Sequence, residues 1–217
     1  ANPSNAMTTC TGGTLTAVVG SSDISYTSGI IAAGSMCSVS VDVVGISTGN
    51  WINLSGDLTS SLGNSGTATD SIDVNGPPLF DKSFAPSVIT PNDVSTLTFL
   101  IQNTLSTVTA TGLNFTDNLP AGVEVATVPN VTNSCSGGTV TAAAGASVIS
   151  YTGGSVNSGV SCEITVDVTS SVVATHMNLT GDLTSNHGNS GQATADLIVT
   201  DVPVFSKVFS NNPYILN

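Results

Sequence analysis

Apolar and polar residues alternate with a period of two in short runs rich in Val, Ile, Thr, Phe and Tyr, and the apolar spacing of an amphipathic helix is missing. Between residues 78 and 202 this alternation predicts strands over 79–85, 95–103, 111–117, 122–127, 138–143, 147–152, 162–168, 176–184 and 192–200. Turn-forming runs separate them: TPND, LPAG, AAGAS, TGG and GNSG. That many short strands in about 125 residues predict an all-β fold, a two-layer sandwich of immunoglobulin-like or prealbumin-like topology.

The pattern recurs along the chain. A shift of 125 positions places Cys10 on Cys135, Tyr26 on Tyr151, Cys37 on Cys162, Trp51 on His176 and Lys82 on Lys207 without a gap. GGTLTA then meets GGTVTA, and NLSGDLTSSLGNSG meets NLTGDLTSNHGNSG. A fixed long period marks tandem copies of one folded unit, and about 125 residues suffice for a self-contained core. The expected organisation is the C-terminal part of one β-sandwich repeat over 1–77, a complete repeat over 78–202 and the first strand of the next over 203–217. Residues 1–77 correspond to 126–202, so a longer polypeptide is expected. Prolines at 77–78 and at 203 mark short linkers, which predict a semi-rigid rod of domains.

The run NTLSTVTATGLNFTDNLPAGVEVATVPN, preceded by FDKSFAPSVITPNDVSTLTF and followed by CSGGTVTAAAG, resembles tandem repeat domains of unknown function in long bacterial surface proteins, the class numbered eleven and its relatives. The elements that carry the resemblance are FxKxFxP, TGLxFTDxLPAGV and GDLTSxxGNSGxAT. It implies β-sandwich repeats of very large extracellular adhesins or fibres, without enzymatic activity and without catalytic residues to carry over.

Composition narrows the function. Fourteen acidic residues against two lysines and no arginine give a net charge of −12. Binding of nucleic acid or of an anionic membrane relies on Lys and Arg, so neither is expected as a partner. Scarcity of trypsin sites suits a chain exposed to proteases. The four cysteines fall at the same spacing in each copy, which pairs Cys10 with Cys37 and Cys135 with Cys162 as intra-repeat disulfides and points to an oxidising compartment. Metal ligation by these cysteines is disfavoured, since no CxxC spacing occurs and His176 and His187 have no counterpart in the first copy. No apolar run of membrane-spanning length is present.

Both lysines occupy the same place in the repeat, on a face that alternation turns inward with Phe80 and Phe84. On the following strands Leu97, Phe99, Ile101 and Asn103 share a face, as do Leu113, Phe115 and Asp117. Lys82, Asn103 and Asp117 are therefore expected to meet in the core. An amine, a carboxamide and a buried carboxylate are the groups that a Lys–Asn isopeptide bond needs. The alternatives at this position are a buried Lys82–Asp117 ion pair, a lysine snorkelling to the edge, and an Asp117 that only forms a turn.

Asp70, Asp73 and Asp81 flank the junction between copies and are the calcium candidates, although no DxDxDG loop is present and the second junction keeps only Asp196 and Asp201. Solvated surface carboxylates are the competing reading, and no other cofactor is expected. Glycosylation sequons occur at Asn53, Asn114, Asn130 and Asn178, with Asn53 and Asn178 at equivalent positions. No nucleophile and base recur together in both copies, so no enzyme is expected. The sequence thus predicts a structural repeat of a secreted or cell-surface protein, a stalk or filament whose partners are copies of itself or adjacent repeats. The alternative is an adhesin module contacting carbohydrate or protein, against which the 5% aromatic content counts.

Overall fold

Every regular element is a strand, and no helix occurs among residues 1–208, the residues that the computed structural model describes. Contacts divide the chain into two units, Ala1–Ser47 and Thr48–Asn217.

The first unit holds β1 (Met7–Thr8), β2 (Thr11–Ala17), β3 (Ile24–Ile30) and β4 (Val39–Ser40). β2 and β3 form an antiparallel ribbon with Leu15 opposite Tyr26, β1 pairs with β4, and Cys10 is disulfide-bonded to Cys37. Between β2 and β3 the Ser21 N–H donates to the Val18 carbonyl at 3.0 Å. That turn passes through Gly20 at φ +81°, a conformation that a residue with a Cβ rarely adopts.

In the second unit β5 (Gly49–Leu54) pairs with β8 (Thr69–Val74), and β6 (Thr59–Ser60) with β7 (Gly63–Asn64). The remaining strands are β9 (Leu79–Ala85), β10 (Val88–Ile89), β11 (Val94–Gln102), β12 (Ala110–Asn118), β13 (Val123–Val125), β14 (Thr132–Asn133), β15 (Ser136–Thr141), β16 (Val148–Val156), β17 (Ser161–Ser170), β18 (Ala174–Leu179), β19 (Leu183–Ser185), β20 (Gly188–Gly191) and β21 (Thr194–Val199). They form one sheet in the order β13-β17-β11-β9, with β14 also on β17, a second in the order β15-β16-β12-β19-β20, and a third in the order β10-β21-β18.

The two five-stranded sheets share one core. Alternation along β9 buries Phe80, Lys82 and Phe84, and along β11 Ser95, Leu97, Phe99 and Ile101. From the other sheet Phe115 of β12 meets Phe80 at 5.0 Å and Phe99 at 4.8 Å between ring centroids, tilted by 47° and 45°. Tyr151 of β16 extends the cluster to Phe115 at 5.9 Å and donates to the Gly137 carbonyl at 3.1 Å. Its ring lies against Gly154, where an added Cβ would come within 1.7 Å of the hydroxyl, so this contact excludes any larger residue.

The strands expected between 78 and 202 are all present, with ends moved by a few residues, and TGG, read as a turn, lies inside β16. Segment 176–184 divides into β18 and β19, because the chain leaves one sheet for another at Thr180–Asp182, where the Gly181 N–H donates to the Thr116 carbonyl at 2.7 Å. GNSG, read as a turn, is β20, paired back on β19. β10 is parallel to β21 and only two residues long, too short for a periodic signal. Residues 203–208 carry no strand, and 209–217, the rest of the strand expected at the end, lie outside the described residues.

Local pairings repeat with the sequence. Tyr151 faces Val140 as Tyr26 faces Leu15, His176 faces Leu197 as Trp51 faces Ile72, and Ser185 faces Gly188 as Ser60 faces Gly63. Both disulfides form, each spanning a separation of 27 residues. The buried core, however, draws only on residues from Phe80 onward. The physical reason is that β11 and β12 are the central strands of the two sheets, and nothing in 1–77 corresponds to them.

Replacing Cys135 and Cys162 together by Ser is expected to lower the stability of the sandwich that holds them by about 3–4 kcal/mol, from the loop-closure entropy that the bridge removes from the unfolded chain. Chemical denaturation followed by circular dichroism measures this, and an unchanged midpoint contradicts it.

Candidate functional site

Three polar side chains meet inside the apolar core of the second unit. Phe80 of β9 and Phe115 of β12 face one another across the sandwich, and the next inward positions on the same strands are Lys82 and Asp117. Their side chains are fully buried, with Lys82 Nζ 3.3 Å from Asp117 Oδ1 and 3.4 Å from Oδ2. The amine also lies 5.9 Å from the centroid of the Phe99 ring, whose residue is Lys82's partner in the β9–β11 register.

The third member is Asn178 of β18, itself fully buried, whose Nδ2 donates to Asp117 Oδ2 at 2.9 Å. It reaches the cluster because the chain after β18 crosses to β12: Thr180 bridges to Asp117, and Thr180 is fixed by a 2.8 Å bond from the Ala193 N–H to its hydroxyl. Asp117 Oδ2 therefore accepts from both the amine and the carboxamide, and Oδ1 accepts from the amine as well. Asn178 Oδ1 is buried and has no hydrogen-bond partner.

Burial pushes the Lys82 amine below its ordinary value, because the low-dielectric core penalises the ammonium. The Asp117 charge and its hydrogen bonds act in the opposite direction and only partly restore it.

The structure thus brings Lys82 and Asp117 together as alternation predicts, and corrects the third residue. Asn103 is buried, but Phe99 stands opposite Lys82, and four residues further along β11 amount to roughly 13 Å. There Asn103 Nδ2 bonds the carbonyls of Val108, Val156 and Asn157 at 2.8, 3.3 and 3.2 Å, which pins the loop that follows β11. Asn178 had a signal of its own, since alternation along β18 sets His176 and Asn178 on one inward face and the residue recurs as Asn53.

The same burial removes Asn178 as a glycosylation acceptor in the folded domain, while Asn53, Asn114 and Asn130 are exposed. The calcium candidates Asp70, Asp73 and Asp81 each bond a different partner. Asp73 accepts from Asn50 Nδ2 at 2.7 Å, Asp81 from Gln102 Nε2 at 2.8 Å and Asp70 from the Ser71 N–H at 2.8 Å, and no group of three or more His, Cys, Asp or Glu able to hold a metal exists among the described residues. Each of these carboxylates is engaged by a different neighbour on its own strand pair or backbone. His176 Nε2 lies 2.9 Å from the Val172 carbonyl and His187 Nε2 3.1 Å from that of Thr109, so both rings tie down loops.

The profile of the family described as "Domain of unknown function (DUF7933)" matches residues 1–74 and again 78–199. The chain belongs to the DUF7933 family. This replaces the class numbered eleven that the motifs suggested. Among solved structures, the DUF7933 chain is similar to the collagen adhesin of S. aureus at 14% identity and a TM-score of 0.39, covering 62% of this chain and 54% of that one. It is also similar to a protein of Corynebacterium diphtheriae described as membrane anchored, at 8% identity and a TM-score of 0.35, covering 85% of this chain and 52% of that one. The DUF7933 chain spans about half the length of each. No curated protein matches it.

Proposed function

We propose that this chain is a structural module of a long bacterial extracellular protein, in which immunoglobulin-like β-sandwiches of about 125 residues follow one another to form a cell-surface stalk or a filament. The observation that carries this reading is the recurrence of one set of strand pairings and one 27-residue disulfide at a constant offset. Serial copies of one domain give reach. All four cysteines are bridged, which favours an oxidising compartment outside the cytoplasm.

The polar cluster supports a mechanical role over a catalytic one, because its amine and carboxylate are closed to solvent and so to any diffusing substrate. Adjacent repeats and copies of the same chain are the partners this reading invokes, and no cofactor is needed. The net charge of −12 disfavours nucleic acid, and among the described residues no helix is long and apolar enough to cross a membrane.

Electron microscopy of the native material that carries this sequence tests the reading. Rods or fibres with an axial spacing commensurate with one or two sandwiches are expected at the cell surface or in the medium. Compact particles confined to the cytoplasm, with reduced thiols, overturn it.

A further inference from the structure

We propose that Lys82 and Asn178 are joined by a spontaneous isopeptide bond between Nζ and Cγ, formed with Asp117 as the proton carrier. Four observations meet at this site. The amine and the carboxamide come from strands far apart in sequence, β9 and β18, yet both hydrogen-bond to Oδ2 of the same carboxylate. All three side chains are buried, with the amine 5.9 Å from the centroid of the Phe99 ring, so water does not compete for the carboxamide carbon. A buried ammonium is disfavoured there, and transfer of its proton to the adjacent carboxylate leaves both groups neutral. Asn178 Oδ1 is the one buried side-chain polar atom of the cluster without a hydrogen-bond partner.

The chemistry balances with these groups alone. Lys82 Nζ gives a proton to Asp117, and the free amine pair attacks Asn178 Cγ while the carbonyl π pair moves onto Oδ1. The attacking nitrogen loses a second proton, which passes through Asp117 to Nδ2, the nitrogen that already faces the carboxylate. The carbonyl re-forms, the Cγ–Nδ2 bond breaks, and ammonia leaves. One Nζ–Cγ amide replaces one Cγ–Nδ2 amide, with no oxidant and no activated reactant.

The bond closes a covalent loop from 82 to 178 that contains the strands β10 to β17 and the Cys135–Cys162 bridge. Tension along the chain then passes from β9 to β18 through a covalent bond and bypasses everything between. This inference stands on the geometry of the cluster and does not depend on the stalk or filament reading.

The test is the intact mass of the full chain after denaturation and reduction, with peptide mapping. A single loss of about 17 Da, the mass of ammonia, is expected, together with a linked peptide containing Lys82 and Asn178. Only Lys82 and Lys207 offer trypsin sites, so the unfolded chain should be cut after Lys207 and resist after Lys82. Asn178→Asp, which preserves the shape of the site, should lose about 18 Da by expelling water instead of ammonia, while Asn178→Ala and Asp117→Ala should keep full mass and become cleavable at Lys82. An unshifted wild-type mass with cleavage after Lys82 overturns the proposal. A bond from Lys82 to Asp117 or Asn103, or an Asn178→Asp chain that still loses ammonia, overturns the assignment of Asn178.

Discussion

Replacing Asp117 by Ala is expected to destabilise the sandwich built on β9, β11 and β12 by about 3–5 kcal/mol and to lower its unfolding midpoint by roughly 10–20 °C. Asp117 is the shared acceptor for a buried amine and a buried carboxamide. Removing it leaves Lys82 as an uncompensated charge beside the Phe99 ring, with no solvent to take the carboxylate's place. Such a charge is relieved only by deprotonation or by opening the sandwich, and both cost free energy. Where the Lys82–Asn178 bond forms, the variant loses that as well and the fall is larger.

Thermal and chemical denaturation of the full chain measure the loss, and hydrogen exchange on peptides from 79–199 places it in this sandwich. A control separates charge from packing. In a Lys82→Met, Asp117→Leu double variant both charges leave together, so much of the stability should return even though Asn178 has lost its acceptor. If Asp117→Ala melts with the wild type, the buried pair is not what the structure shows.

Phe99→Ala is expected to cost about 3–5 kcal/mol, through lost transfer free energy and the cavity left behind. Phe99 is fully buried on β11, which lies between β17 and β9 and cannot shift without breaking both ladders. Its ring joins the two sheets through Phe115 at 4.8 Å and backs the Lys82 amine at 5.9 Å. The variant therefore weakens the sheet contact and the polar cluster together. A double-mutant cycle of Phe99→Leu with Lys82→Met should show a coupling of about 0.5–2 kcal/mol if the ring–amine contact contributes. Additive effects would assign the whole cost of Phe99→Ala to packing.

Much of the sandwich was legible because its strands are half-buried and their alternation survives. Phe80, Lys82 and Phe84 point inward as the period of two requires, and so do Leu97, Phe99 and Ile101 and Leu113, Phe115 and Asp117. The short pieces were not legible for the converse reason. β10 and β14 are two residues long, and β20 is a Gly-Asn-Ser-Gly run whose composition is that of a turn but whose hairpin partner holds it extended.

By itself, the sequence determined which face of β9, β11 and β12 is buried, that its motifs recur at an offset of 125 positions, and that both cysteine pairs share one spacing, since these follow from period, offset and spacing along one dimension. Only the tertiary structure decided which buried polar groups meet. Asn103 and Asn178 are both buried asparagines near strand ends, and alternation turns both inward without saying which of them reaches Lys82 and Asp117. Register does: the pairing of Lys82 with Phe99 carries Asn103 to the far end of the sheet, and the crossing of the chain from β18 to β12 at Thr180 delivers Asn178 to Asp117. Contact between residues 61 positions apart depends on how sheets stack and where a strand changes layer, and periodicity carries no information about either.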